Sequence, residues 1–268
     1  MKRIRTISIA VLAIVFTVCL AADFIAPAPY AKQFREAPND PPSRRFLLGT
    51  DELGRDRFSR LIYGTRISLL LAPAAALLST LIAGIIGVVA GYLGGWWERL
   101  AMAATDLFLS LPWFFLLITV RAVLPLNVAP LVSVIITFCL LGILGWAASA
   151  RVLCAGSRAL RNAEFVTQAR ATGTNRLRLL LVHVLPNLAP VLQAQFWLSI
   201  PIFILAEANL SLLGLGVSEP MPSWGSLLRE LESYTGLASQ PWRFVPLVLL
   251  VVVVSAFQFI QQDKELAA

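Results

Sequence analysis

The sequence is poor in the residues that build catalytic and metal centres. It has one histidine, His183, and three scattered cysteines that form no Cys-x-x-Cys pair. These counts exclude a His/Cys metal cluster and a redox motif. The three lysines do not follow a glycine, so the chain lacks the G-x-x-x-x-G-K-[ST] loop that binds nucleotide phosphates. We therefore expect no catalytic residue, no metal and no cofactor in this chain.

Charge is also scarce. Charged residues make up 14% of the chain, hydrophobic residues make up 58%, and the mean hydropathy is +0.77. Soluble domains carry about a quarter charged residues. The composition therefore predicts an all-α integral membrane protein. The net charge of +7 lies largely in loops that flank apolar runs. Contact with membrane lipid accounts for this charge better than nucleic-acid binding does.

Six apolar runs are long enough to cross a bilayer, which takes about 20 residues each. Their approximate ranges are 7–25, 67–93, 100–120, 128–150, 191–213 and 244–260. A cleaved signal peptide would have a profile similar to that of the first run. The length of this run favours an uncleaved first span.

Three parts follow from this topology. Residues 1–65 hold the first span and an external loop with an interfacial helix. Residues 66–262 form a five-helix core that includes a cytoplasmic loop at 151–190, and residues 263–268 form a short cytoplasmic tail.

The interfacial helix is predicted from the pattern of Phe58, Leu61, Ile62 and Thr65, which share one helical face. We expect it to begin at Thr50, next to two acidic residues that suit a helix N-terminus.

The segment Glu164–Asn187 is polar, basic and placed between apolar runs. Phe165, Ala169 and Thr172 fall at i, i+4 and i+7, which predicts one apolar face on a short helix. A rigid helical segment at this place suits a soluble partner that grips it, whereas the simpler alternative is an ordinary cytosolic loop.

Local signals divide this segment into two helices. Gly173 suits a turn because glycine enters the left-handed conformation at little cost. Asn175 can cap the second helix, and Pro186 is expected to stop or kink it.

Three further strings stand out: LGTDELGRD at 48–56, SLLGLG at 211–216 and MPSWG at 221–225. Ser223 is a suitable cap for an external helix over 224–234. Leu227, Leu228, Leu231 and Tyr234 would share one face of that helix.

These strings and the segment 164–187 occur in the order found in the second permease subunit of dipeptide/oligopeptide/nickel-type ABC importers. The chain resembles that family over residues 47–246. The resemblance implies a type I ABC-importer permease with six transmembrane helices, in the bacterial plasma (inner) membrane. It would move peptides or a related small solute by alternating access.

The resemblance also implies partners. These are a second permease subunit, two cytosolic ATPases that bind ATP and Mg²⁺, and an external solute-binding protein. The ATPases would dock on the coupling loop, whose residues here are Glu164, Phe165, Thr167, Gln168, Ala169, Arg170, Ala171, Gly173, Leu185, Pro186 and Asn187. Thr167 and Gln168 depart from the family pattern, which has Glu and Ala there, so an anchoring charge is missing.

Polar residues inside apolar runs are costly and mark functional positions. The candidates for the translocation path are Glu207, Asn209 and Asp106. Glu207 either lines that path or makes a structural bond to Asn209 or another helix, and for Asp106 the structural role is favoured. Arg121 is expected to snorkel at a span end. His183 is either a pH switch or a helix-end contact with a partner.

A different class remains open, namely a stand-alone secondary carrier or a membrane enzyme. A carrier would be expected to show repeated halves with broken helices, and no clear repeat is visible. A membrane enzyme would need a nucleophile or metal cluster.

Overall fold

The computed structural model describes residues 2–125, 128–232 and 240–265. Within these ranges the regular elements are helices, and two isolated bridges, Gln33–Arg55 and Thr50–Asp56, are the extended pairings. The α-helices are α1 Lys2–Leu20, α2 Ala22–Ile25, α3 Arg57–Ala83, α4 Val89–Leu93, α5 Gly95–Ser110, α6 Trp113–Val123, α7 Pro130–Leu144, α8 Ala147–Arg161, α9 Glu164–Ala171, α10 Arg176–Arg178, α11 Leu185–Leu212, α12 Trp224–Leu228 and α13 Val245–Glu265. Two π-helical segments, Gly84–Val88 and Leu179–Val184, and two 3₁₀ turns, Arg229–Glu232 and Pro241–Phe244, complete the set.

In the described part of the chain, five continuous helical stretches are long and apolar enough to cross a membrane, and a bent pair makes a sixth when it is counted as one span. The stretches are Arg3–Leu20, Arg57–Leu93, Pro130–Arg161, Arg176–Leu212 and Pro241–Gln261. The prediction of an all-α integral membrane protein with six transmembrane helices is confirmed, with the bent pair as one of the six.

The predicted third span is not one straight helix. It consists of α5 and α6, which meet at an angle of 77°. Leu111 has an extended backbone, with φ −91° and ψ 132°. The cause is Pro112, whose ring disfavours the helical conformation of the preceding residue.

The second span is much longer than predicted. It runs without interruption over Arg57–Leu93, which is 37 residues and about 55 Å at 1.5 Å per residue. The sequence predicted as a separate interfacial helix at 58–65 is the first part of this helix, and the predicted boundary at 65/66 lies inside it. No proline interrupts the helix before Pro73, so nothing ends it at residue 65.

The predicted start of this helix at Thr50 is wrong. Asp56 caps α3, because its Oδ2 accepts the backbone N–H of Ser59 at 2.8 Å and the Ser59 hydroxyl at 2.5 Å. Thr50 instead donates its hydroxyl to the Ala37 carbonyl at 2.5 Å. Gly54, with φ +72°, turns the chain between the two, so the helix cannot begin earlier.

The chain forms two compact units. The first unit is Met1–Ala72, Arg121–Phe138 and Pro201–Ala268, and the second unit is Pro73–Val120 and Cys139–Ile200. The earlier three-part division by topology stays a prediction. The end of the predicted helix 224–234 and the end of the predicted tail 263–268 lie outside the described residues, although α13 continues to Glu265.

The core of the second unit holds α4, α8 and the following segment together. Its buried members are Ala83, Val88, Tyr92, Ala150, Leu153, Val166, Leu179, Val184 and Leu188. A Cβ added at Gly87 would lie 2.3 Å from the Ala150 carbonyl oxygen, and one at Gly91 would lie 2.3 Å from that of Cys154. These two glycines therefore allow α8 to pack against the backbone of the second span.

Candidate coupling segment and charged sites

Residues 164–187, termed the coupling segment, form the short helix α9, a turn and the first part of a second helix. The predicted order of helix, bend and helix is present, but the second helix is long. The turn contains Gly173 at φ +84°. The side chain of Asn175 caps the second helix, because its Oδ1 accepts the backbone N–H of Arg178 at 2.7 Å. Both local signals in the sequence are confirmed.

The buried face of α9 differs from the predicted one. Val166 is fully buried in the core of the second unit, and Ala169 packs against the same core. Phe165 is 39% exposed, and Thr172 is exposed. The pair Val166 and Ala169 also has helical spacing, so the sequence contained this signal beside the one that was preferred.

Pro186 does not stop the second helix. The helix continues over Arg176–Leu212, and the π-helical segment Leu179–Val184 lies just before the proline. A π-turn changes the hydrogen-bond pattern upstream, which accommodates the missing proline N–H and the bulk of its ring. The side-chain amide of Asn187 donates to the His183 carbonyl at 2.7 Å and adds a further bond to this turn.

Most of the predicted coupling residues face outward. The exposed ones are Glu164, Phe165, Thr167, Gln168, Arg170, Ala171, Gly173, Pro186 and Asn187, whereas Ala169 and Leu185 are half-buried. Helix α9 is thus held against the unit by Val166 and Ala169, and its other residues are exposed.

A cationic cleft of about 510 Å³ lies beside α9. Arg161, Arg170 and Arg176 line it, together with Tyr92, Leu93, Thr174 and Leu179. None of these described lining residues carries a carboxylate. Glu98 lies 3.9 Å from Arg161 and 3.2 Å from Arg158, so it offsets only part of the positive charge.

Glu207 has no exposed surface, and its Oε1 accepts the hydroxyls of Ser211 and Ser223, each at 2.7 Å. Ser223 also caps α12 in a capping box with Ser226, as the sequence predicted for the cap. These bonds correspond to the structural alternative for Glu207, although the partners are serines and not the exposed Asn209. A role of Glu207 and Asn209 in a translocation path stays a prediction.

The LGTDELGRD string forms an ionic cluster in the first unit. The Asp51 carboxylate accepts from the Arg55 Nε at 2.6 Å and lies 3.7 Å from the Arg60 Nε. Arg55 and Arg60 both bind Glu219, the latter at 3.1 Å. Sequence reasoning missed this cluster, because Glu219 follows about 160 residues later and only its charge could have suggested the pairing.

A comparison with known protein families assigns the chain to one of them. Residues 83–263 match the family of binding-protein-dependent transport system inner membrane components. The chain belongs to this family. It is therefore a multi-pass permease subunit of the bacterial inner membrane, as the motifs predicted.

Curated relatives are similar over most of the permease. It is 33% identical to the dipeptide transport system permease protein DppC of Bacillus subtilis over 248 residues, which cover 92% of this chain and 75% of the relative. It is 33% identical to the oligopeptide transport system permease protein OppC of Mycobacterium bovis over 258 residues, which cover 94% of this chain and 85% of the relative.

The MPSWG string of the permease is joined to the second span. Trp224 is fully buried. Its indole N–H donates to the Thr65 hydroxyl at 2.9 Å, and its backbone N–H donates to the Ser68 hydroxyl at 3.3 Å. The string thus places the loop after α11 on the first part of α3.

Two further charged residues of the permease differ in environment. Asp106 is exposed and forms an ion pair with Arg151. This pair agrees with the favoured structural role, and a path-lining role stays a prediction.

The prediction that Arg121 snorkels at a span end is wrong. Its side chain is fully buried and donates from Nη2 to the Ser133 hydroxyl at 3.0 Å. Bonds to Ser133 in α7 and to Gly216 in the loop after α11 replace contact with the membrane surface.

Proposed function

We propose that this chain is the second permease subunit of an ATP-driven importer of peptides, and that separate ATPases drive it through the coupling segment. The observation that carries the proposal is the exposed helix α9, anchored at Val166 beside a cationic cleft. The names of the relatives in Bacillus subtilis and Mycobacterium bovis support peptides as the solute class.

The mechanism is alternating access. The chain has no phosphate-binding loop, so ATP and Mg²⁺ are bound by two cytosolic partner subunits. When these subunits close on ATP, they move the coupling segment, and the spans rock to open outward. The ATPases can drive this change only if they bind the segment with different affinity in the two states.

The partners follow from the same scheme. A second permease completes the translocation path, and an external solute-binding protein delivers the peptide, in keeping with the binding-protein dependence named in the family description. The cleft formed by Arg161, Arg170 and Arg176 suits acidic side chains of an ATPase, since guanidinium groups bind carboxylates bidentately.

The experiment is to tag the chain, extract it in mild detergent and identify the proteins that co-purify. We expect two chains with phosphate-binding loops and a second permease. The purified assembly should hydrolyse ATP faster with peptide-loaded binding protein than with empty binding protein. A stable homo-oligomer that transports solute without an ATPase would contradict the proposal and support the stand-alone carrier.

A further inference from the structure

Arg121 is a buried cation without an acidic partner among the described residues. Its side chain has no exposed surface. Nη2 donates to two neutral groups, the Ser133 hydroxyl at 3.0 Å and the Gly216 carbonyl at 3.5 Å. Nε and Nη1 have no hydrogen-bond partner in the described part of the chain. A buried charge in this situation is costly, and such residues in membrane proteins mark sites of function.

A cavity of about 390 Å³ borders this side chain within the first unit. Arg229 also lines the cavity, is exposed, and forms no ion pair among the described residues. The carboxylate on the cavity wall belongs to Glu219, which binds Arg55 and Arg60. Arg55 and Arg60 offset the negative charge of Glu219. The charges of Arg121 and Arg229 therefore leave the cavity with an excess of positive charge.

The contact between Arg121 and Gly216 is readily exchanged. At 3.5 Å it lies beyond the usual length of an N–H···O bond. Gly216 is in the irregular loop between α11 and α12. A carboxylate oxygen at the position of this carbonyl would form a shorter, charge-assisted bond, and its second oxygen could take one of the unpaired nitrogens, because guanidinium and carboxylate match as a two-bond pair.

We propose that this cavity binds a carboxylate of the transported solute, with Arg121 as the buried donor and Arg229 as the donor at the exposed side. The inference rests on the proposed import of peptides, since a linear peptide carries a carboxylate at its C-terminus. In the predicted topology the loop between α11 and α12 is external, where the binding protein releases its solute.

The test uses the complete complex in proteoliposomes with its binding protein. The probes are trialanine and trialanine amide, which differ only in the terminal carboxylate. Uptake of each is measured at saturating concentration for wild type and for Arg121→Gln. Any preference of the binding protein cancels, because the same binding protein serves both complexes. We expect Arg121→Gln to reduce the acid-to-amide preference by about tenfold, the effect of losing one charge-assisted hydrogen bond.

Two further variants complete the test. Arg229→Gln, at an exposed residue, should reduce the same preference by about threefold, because solvent screens this charge. If Arg121→Gln fails to assemble, the result for Arg229→Gln tests the proposal in its place. Arg44→Gln, an equal charge change at an exposed external position, should leave the preference unchanged. Equal losses for both probes would overturn the proposal, because Arg121 would then have a structural role or pair with a neighbouring subunit. If wild type transports neither probe, peptide import itself fails.

Discussion

Segments 48–56 and 164–178 are both rich in charge, yet their charges are partnered differently. In the first segment Asp51 and Arg55 are buried and bind each other, and Arg55 also binds Glu219 of the same unit. In the second segment Arg170 and Arg176 are exposed and line an open cleft. The charges of the first segment thus form part of the internal structure of their unit. Arg170 and Arg176 of the second segment form no ion pair among the described residues and stay exposed at the cleft.

The largest effect on stability is expected at Asp51. In Asp51→Ala the backbone N–H groups of Leu53 and Arg55 lose their acceptor, and two buried arginines lose a counter-charge. Removing one member of a buried ion pair costs about 3–5 kcal/mol. The free energy of unfolding of the purified complex measures this loss.

The neighbouring Glu52 provides the control, because it is an exposed acid in the same turn. Glu52→Ala should change the unfolding free energy by no more than about 0.5 kcal/mol. Similar losses for the two variants would show that the burial of Asp51 is not what stabilises this segment.

A smaller loss of stability is expected from Gly91→Ala in the second unit. The added Cβ would lie 2.3 Å from the Cys154 carbonyl oxygen and 2.9 Å from the Ser157 Cβ, so α8 would have to move. Overpacking of this kind costs about 1–3 kcal/mol. Denaturation of the detergent-purified complex measures the change.

Gly84→Ala is the matched control, since the atom nearest to its added Cβ is the end of a flexible side chain, Leu192 Cδ2, at 3.3 Å. This variant should be close to neutral. If both variants were equally destabilised, the close approach at Gly91 would not be the cause.

Features that depend on a few neighbouring residues could be predicted from the sequence. Gly173, Asn175 and Ser223 each follow a local rule for turns or caps, and the structure has all three as expected. The apolar runs likewise predicted the class of fold, because the bilayer fixes the length of a span.

Features that depend on distant residues could not be predicted in this way. The position of Arg121 near a span end suggested exposure, but its burial depends on Ser133 and Gly216, which belong to other elements. The ionic cluster needs Glu219, far away in sequence. The break at Pro112 had a local signal, yet the apolar residues on both sides resembled one continuous span.

Substitutions of Glu207 test the buried hydrogen bonds of the first unit, and they are expected to cost less stability than Asp51→Ala. Glu207→Leu should cost about 1–3 kcal/mol, because the buried hydroxyls of Ser211 and Ser223 lose their acceptor. Glu207→Gln keeps an acceptor oxygen and should lose less than about 1 kcal/mol. Unfolding of the two purified complexes measures this difference.

Peptide uptake by the Gln variant then separates the two roles of Glu207. Reduced uptake by an intact, stable complex would support a position in the translocation path. Normal uptake would leave the bonds to Ser211 and Ser223 as its function.

The smallest effect on stability, with a large effect on transport, is expected from Gly173→Asp. A Cβ at this residue meets nothing within 4 Å, and Asp tolerates a positive φ better than most residues. Its carboxylate would, however, lie in the turn next to the cationic cleft and repel acidic groups of an ATPase. We expect normal assembly and uptake reduced about tenfold relative to ATP hydrolysis, measured together in proteoliposomes.

Gly173→Asn separates charge from backbone strain, because Asn adopts the same left-handed conformation without the charge. It should retain most of the uptake. If Asn and Asp were equally impaired, the turn geometry and not the charge would be responsible. If Gly173→Asp retained full uptake, the exposed arginines of the coupling segment would not be the surface on which the ATPase docks.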